Sequence, residues 1–247
     1  MAQPLRRLDH KSVQKMEAFV KHLELEDFHS RVGTGAGHCN VIDGSLAATS
    51  HEMTEQQVQD VTDSTLLAQL AANKKFNRFE DPENWYECYM NVLSNIGWTL
   101  ESFRWNKYES SQTSFKLSQV TLELLSSMVG GEAAIMNVVK AAIDALATSQ
   151  EGVSLYDSCS TSADDGNFQI LPCINEMGQI CLPLLCYYFK ADRHVKNFFF
   201  FNWGHESISL FYATQKCVLN EKAYSKVRKA VADKVAGKIG DYVKHLF

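Results

Sequence analysis

The side chains best able to hold a transition metal stand closest together at His29, His38, Cys39 and His51. Imidazole and thiolate suit such an ion, but spacings of 9, 1 and 12 residues match no usual ligand pattern. These four read as solvated loop residues. Gly33-Thr-Gly35-Ala-Gly37 resembles a phosphate-cradling turn, yet its spacing departs from GxGxxG and no strand precedes it, so it reads as linker. Asp164 and Asp165 before Gly166 lack the further acidic positions of a calcium loop and read as a turn. Asp81, Glu83, Glu87 and Glu101 carry carboxylates suited to proton transfer, but nothing in the sequence pairs them across a cleft. No G-x-S-x-G elbow, GxxxxGK[ST] loop, HExxH or CxxC occurs. The expectation is a protein with no catalytic residues, no metal and no dissociable cofactor.

Cysteine is the remaining reactive type. There are seven, an odd and sparse set for a disulfide scaffold. Cys173, Cys181, Cys186 and Cys217 fall in apolar β-like runs, where an unmodified thiol is ordinarily buried and inert. The sharper reading places an acyl chain on a cysteine near a strand end, Cys173 first and Cys217 second.

The chain that must position these residues has 247 of them, 45% hydrophobic, 11% aromatic and 21% charged, an ordinary globular composition. A net charge of −5 argues against nucleic acid as a partner. The N-terminus has basic residues without an apolar stretch behind them, so no cleavable signal peptide is expected. The longest uncharged apolar-rich run, Met177 to Phe189, is 13 residues, too short for a spanning helix.

Apolar spacing near 3.6 predicts a helix over 9–28, and the glycines at 33, 35, 37 and 44 then mark a linker. Residues 1–51 therefore read as a helical arm and linker, and 52–247 as one α/β domain. Further helices are predicted over 54–75 and from Asp81, as cap, with Pro82 in the first turn, to Gly97. Strand-like chain from Trp98 to Tyr108 and a short return at Phe115–Leu117 follow. A charge-poor helical hairpin comes next, Ser118–Met128 and Glu132–Thr148, turning at Gly130–Gly131. From residue 167 to 217 four β runs with short turns predict an antiparallel meander: Phe168–Asn175, Gln179–Lys190, Val195–Trp203 and Ser207–Lys216. In the second run Ile180, Leu182, Leu184 and Tyr188 alternate with Cys181, Leu185, Tyr187 and Phe189. A strand apolar on both faces needs cover on both. A basic amphipathic helix over 220–247 closes the chain; it carries net +4, which leaves −9 for the rest. The expected fold class is α+β, a central antiparallel meander sandwiched between helices.

This order of elements resembles the cytolytic Cyt-type toxins. The segments NWYECYMNVLSNIGW (Asn84–Trp98), GNFQILPC (Gly166–Cys173), NFFFFNW (Asn197–Trp203) and VLNEKAYSKVR (Val218–Arg228) resemble the Evf virulence-factor family. The likeness spans roughly residues 55–245 and leaves the N-terminal arm unexplained. It implies a microbial virulence or insecticidal factor that associates with membranes and carries an acyl chain, of palmitate type, on a cysteine. The cysteine that stands in the matching segment is Cys173.

Two functions are expected from different classes. One is a non-enzymatic, membrane-active and pore-forming toxin-like protein, made in the cytoplasm and acting outside the producing cell or at a target membrane. It would be a monomer or dimer in solution and assemble on lipid. Its membrane contacts would come from Ile135, Val139 and Leu146 on the hairpin, Phe199, Phe201 and Trp203 in the aromatic run, and Lys226, Lys229 and Lys234 on the tail helix. The other is a soluble carrier of a hydrophobic ligand, or an enzyme acting on one, with Phe198–Phe201, Tyr187, Tyr188 and Trp203 lining a pocket. In both, the core is held by apolar burial at about 25 cal/mol per Å² and not by disulfides. Thermal melts with and without reductant are expected to coincide; a drop of many degrees on reduction would overturn that reading.

Overall fold

The computed structural model describes residues 10–26, 30–34, 39–100, 104–236 and 238–245. In chain order the first half comprises α1 (His10–His22), β1 (Ser30–Thr34), β2 (Cys39–Ile42), β3 (Ser45–Thr49), α2 (Glu55–Lys75), α3 (Pro82–Asn95), β4 (Trp98–Leu100), β5 (Asn106–Lys107) and β6 (Ser114–Phe115). There follow α4 (Leu117–Met128), α5 (Ala133–Thr148), α6 (Gln150–Ser160), β7 (Thr161–Ser162), β8 (Asp165–Glu176), β9 (Gln179–Ala191), β10 (Trp203–Gly204), β11 (Ile208–Leu219), α7 (Glu221–Ala236) and β12 (Ile239–His245).

The expected layered α+β architecture is present. The main sheet runs β12-β1-β2-β3-β8-β9-β11-β4, with β5 and β7 paired at its margins. On one face α1, α2, α3 and α7 cover a core that takes Leu171 and Cys173 from β8 and Ile180, Leu182 and Leu184 from β9. On the other face α4, α5 and α6 cover Phe168, Ile170, Leu185, Tyr187 and Phe189. The two sides of β9 separate as its alternation predicts, Cys186 falling with the first set, although Tyr188 is only half-buried.

Local chemistry sets the helix boundaries. Thr54 starts α2 with a reciprocal cap: its hydroxyl accepts the Gln57 N–H at 3.2 Å, and the Gln57 side chain accepts the Thr54 N–H at 2.9 Å. Pro82 occupies the first turn of α3, but Asp81 makes no side-chain cap; its carboxylate accepts from the Asn84 amide at 2.9 Å instead. Gly97, at φ +114°, turns the chain after α3 beside Tyr224, where a Cβ would meet the Tyr224 nitrogen at 3.2 Å.

Four expectations from sequence are corrected. Residues 39–49 are not linker: β2 and β3 form a hairpin inside the sheet, and β3 pairs in parallel with β8, Ser45 opposite Gln169 and Thr49 opposite Cys173. Every β3 residue is buried. A short run such as Ser45–Thr49 carries too little alternation to betray a strand covered on both sides. Within the same segment Cys39 is fully buried in β2, while His29, His38, Gly35, Gly37 and Glu101 lie outside the described residues. The run Val195–Trp203 is no strand but a series of turns that returns as the short β10, leaving β8, β9 and β11 as the meander. The tail helix ends at Ala236, and β12 then pairs in parallel with β1. Gly237 and Gly240 in that stretch each disfavour helix by about 1 kcal/mol relative to Ala. Finally, α6 was not anticipated; Ser149 caps it by accepting the Gly152 N–H at 3.0 Å.

The β8–β9 ladder is interrupted between Ile170↔Leu185 and Ile174↔Cys181, where Pro172 and Pro183, neither with an N–H to donate, come opposite one another. The flanking layers thus carry part of the cohesion there.

Helix α7 is clasped to α2 by a directed ion pair. Arg228 donates from Nε and Nη2 to both oxygens of Asp60, at 2.8 and 2.7 Å, and also meets Glu221. The Asp60 side chain is 1% exposed, so removing its partner strands a buried charge. Because Arg228 is itself a quarter exposed, Arg228→Ala is expected to cost about 2–3 kcal/mol, near the low end for a broken buried pair. Urea unfolding of the variant measures it; a loss below about 0.5 kcal/mol, as for an exposed pair, would contradict this account.

Candidate functional site

The feature with the clearest functional bearing is the sheet and its two unlike covers. On the α2–α3 face the cover is tied down by a buried polar network. Arg78, between α2 and α3, donates to the Asp43 carboxylate at 3.1 Å and to the Asn167 carbonyl at 3.1 Å, and accepts the Asn167 side-chain amide on its own carbonyl at 2.8 Å. The Gln169 amide donates to the Tyr86 hydroxyl at 2.7 Å and accepts from Ser45 at 2.7 Å. Tyr86 in turn directs its hydroxyl at the carbonyls of Phe168 and Tyr187, 2.9 and 3.0 Å away, and Gln69 donates to the Ile42 carbonyl at 2.9 Å. Burial drives the Tyr86 phenol well above its ordinary range, so it serves as a neutral donor and acceptor. Gly44 is required beside this network, since a Cβ there would lie 2.2 Å from the Arg78 guanidinium. Sequence reading missed these residues, although Asn167 and Gln169, polar and alternate in an otherwise apolar strand, were the available signal.

The opposite cover is held differently. Ile135, Val139 and Leu146 all point from α5 into the core and are 2% exposed or less. Across this interface the Cys39 thiol lies 3.6 Å from the Ala142 carbonyl, and Tyr156 of α6 donates to the Gln169 carbonyl at 3.3 Å. The rest of the described contact between α4–α6 and the sheet is chiefly apolar, although Thr121 of α4 and Tyr187 of β9 also bring buried hydroxyls to it.

The four consecutive phenylalanines belong to this second cover. The Asp157 carboxylate of α6 accepts the backbone N–H groups of Asn197 and of Phe198, the latter at 3.2 Å. The Asn197 carbonyl accepts from Phe200 and Phe201 at 3.1 and 2.9 Å. Asn197 sits at φ +60°, a left-handed conformation that asparagine tolerates better than most residues. Burial raises the Asp157 pKa, while the two N–H donors and His194 oppose the rise. Phe198, Phe199 and Trp203 therefore plug the sheet face: Phe198 lies 5.1 Å from Phe168 and 5.8 Å from Phe189 between ring centres, and Trp203 5.6 Å from Phe189. The cleft beside Phe189, Phe198 and Trp203 has no volume for a water-sized guest. In that cleft the Phe189, Phe198 and Trp203 rings fill the space, and Tyr188 stacks on the other side of β9 against Phe211 at 4.7 Å.

The residues expected at a membrane thus divide. Phe199 and Trp203 are 1% exposed, and Phe201 alone of that set is open, at 38%. Lys226 is exposed on α7, Lys229 is bridged to Asp233 at 2.7 Å, and Lys234 donates to the Lys21 carbonyl at 3.1 Å. At the tip of the β8–β9 hairpin Met177 is fully exposed at φ +50°.

None of the seven cysteines is in a disulfide. Cys173 and Cys217 are 0% exposed, and the Cys173 thiol, raised by burial, donates to the Leu171 carbonyl at 3.2 Å. The cross-strand partner of Cys181 is Ile174, so Cys173 and Cys181 occupy opposite faces of the sheet. Burial and the Glu176 carboxylate, which accepts its S–H at 3.2 Å, push Cys181 up to about 11. Cys159 is half-buried beside an open cleft.

No family model and no curated protein matches the chain. Among solved structures it is similar to the Evf virulence factor, at 12% identity over 94% of this chain and 93% of that one, with a TM-score of 0.42. It is also similar to the activated Cyt2Ba monomer of Bacillus thuringiensis subsp. israelensis, at 11% identity over 72% of this chain and 96% of that one, TM-score 0.41. A delta-endotoxin matches at 14% identity over 88% and 89%, TM-score 0.40.

The burial pattern predicts graded thiol reactivity. Under native conditions a maleimide should label Cys159 first, with Cys173 and Cys186 reacting only on unfolding, as peptide mass mapping would show. Fast native labelling of Cys173 would mean that the sheet interior is open in solution.

Proposed function

We propose that this protein is a non-enzymatic, membrane-active factor of toxin or virulence type, which acts when one helical cover leaves the sheet. The observation that supports it is the β8–β9 hairpin, buried on both faces beneath helices, with its α4–α6 face lined by Phe168, Ile170, Leu185, Tyr187 and Phe189. Its strands of 12 and 13 residues exceed the ~9–11 that a tilted β-strand needs to cross a bilayer. No helix among the described residues is long and apolar enough to cross a membrane, which leaves strands or in-plane helices for the contact.

The α4–α5 hairpin is the part that moves in this reading. Its hold on the sheet is almost wholly apolar, an attraction that lipid tails supply equally well. The α2–α3 cover, by contrast, is bound through Arg78, Gln69 and Tyr86 to strand carbonyls and side chains. Ile135, Val139 and Leu146 would then meet lipid after release, with Phe201 and Met177 exposed beforehand and Lys226 facing anionic headgroups. Assembly of several copies on the bilayer would bring their hairpins together. Acylation at Cys173 or Cys217 would require the opposite cover to open instead, since both thiols are enclosed beneath α1, α2, α3 and α7.

Vesicle flotation and dye leakage, combined with hydrogen exchange, test this proposal. Binding to vesicles should be accompanied by loss of amide protection in α4 and α5 before α2 and α3. No association with anionic or neutral vesicles under any condition would sink it, and bound protein that keeps α4–α5 protected would reassign the moving layer.

A further inference from the structure

Helices α4, α5 and α6 follow one another along a single stretch of chain, Leu117 to Ser160, so this cover has two ends. Both ends meet the same segment. The connection from β9 to β11 carries the four phenylalanines, and it belongs to the sheet because its own ends continue into those strands. Where the chain enters α4, the Phe199 carbonyl accepts the Ser118 N–H at 3.0 Å, and β10 pairs with β6, Trp203 opposite Phe115. Just beyond that pair the His205 N–H donates to the Thr113 carbonyl at 3.0 Å. Near the exit from α6, the Asp157 carboxylate accepts the Asn197 and Phe198 N–H groups. Between these ends, α5 meets the sheet through apolar side chains and the long contact of the Cys39 thiol with the Ala142 carbonyl, 3.6 Å.

The two fastenings differ in kind. At the α4 end the bonds join neutral backbone groups. At the α6 end one carboxylate takes two consecutive N–H groups, and hydrogen bonds to an ionised acceptor are roughly twice as strong as neutral ones. Tyr156 reinforces this end, its ring centre 5.5 Å from that of Phe198 and 5.7 Å from that of Phe199. The geometry also depends on Asn197 holding φ +60°, which a β-branched side chain resists. Asn197 is exposed and Asp157 half-buried, so substitutions there reach the fastening without cutting into the apolar interface under α4 and α5.

We infer that the segment Asn197–Trp203 is an internal clasp that holds the α4–α6 cover shut, with the Asp157 carboxylate as its principal catch. The inference rests on the reading of α4–α6 as the layer that leaves the sheet, and it adds what restrains that layer. The cover lifts only after Asp157 lets go of Asn197 and Phe198, because the clasp stays with β9 and β11 while α6 moves.

The protein's own thiols report each cover separately, without lipid. Cys39 is sealed beneath α5, whereas Cys173 and Cys186 lie beneath the opposite helices. Native maleimide labelling, resolved by peptide mass mapping, is compared in wild type, Asp157→Ala, Asn197→Val and Asn197→Gly. The first two variants should speed labelling of Cys39 by roughly tenfold or more, the scale of losing charge-assisted hydrogen bonds, with Cys173 and Cys186 unchanged. Asn197→Gly, which suits a positive φ, should stay near the wild-type rate. An equal rise at all three thiols would signal general destabilisation and overturn the clasp, as would no rise at Cys39. Should the variants fail to fold, hydrogen exchange of the wild type decides. The Asn197 and Phe198 amides must be no better protected than those of central α5, and amides that stay protected while α5 exchanges overturn the inference. A vesicle arm separates this device from the bilayer proposal. Variants that expose Cys39 yet, like wild type, bind neither phosphatidylglycerol nor phosphatidylcholine vesicles sink the bilayer reading and keep the clasp. Vesicle binding with Cys39 labelling unaltered by the substitutions keeps the bilayer reading and sinks the clasp.

Discussion

The burial of β8 and β9 on both faces is the constraint from which the rest of the architecture follows. A strand with one apolar face settles on a single layer; these two strands leave no face for water. Helices therefore have to lie on each side, and the chain supplies them from both ends, α1, α2, α3 and α7 to one face and α4 to α6 to the other. The facing prolines Pro172 and Pro183 deepen this dependence, because the ladder at the middle of the hairpin lacks donors where they meet.

The two covers obey different physics. Around Arg78, Asn167, Gln169 and Tyr86 most buried polar groups, though not Arg78 Nε, aim at particular partners, which favours one position of that layer. Leaving any of these groups unpartnered in the interior costs about 1–3 kcal/mol, which makes sliding or partial detachment unfavourable. The α4–α6 layer rests chiefly on non-directional apolar burial. Such an interface is strong in water and indifferent to exchange for another apolar surface, which is why the two layers are assigned different roles.

The aromatic segment shows how one polar residue redirects a hydrophobic run. Four successive phenylalanines favour a strand by intrinsic preference. The carboxylate of Asp157 takes two consecutive backbone N–H groups, and the Asn197 carbonyl takes two more, so the segment satisfies its donors within turns. Its rings then fill the sheet face as a plug, in place of adding a strand to the sheet edge.

Periodicity alone determined much of the protein: the helices α2 to α5, a first helix whose expected span of 9–28 ends in fact at His22, and the doubly apolar β9 with its need for two covers. These are local properties, readable because each residue's face depends only on its spacing from the next. What only the tertiary structure decided depends on partners remote in sequence. Ser45–Thr49 is a strand because β8, more than a hundred residues later, offers it a parallel edge. The chain after Ala236 becomes β12 because β1 receives it, and Val195–Trp203 fails to be a strand because Asp157 competes for its donors. Likewise Ile135, Val139 and Leu146 were legible as an apolar stripe, but whether that stripe faced a sheet or a bilayer was not, since burial in protein and burial in lipid ask for the same side chains.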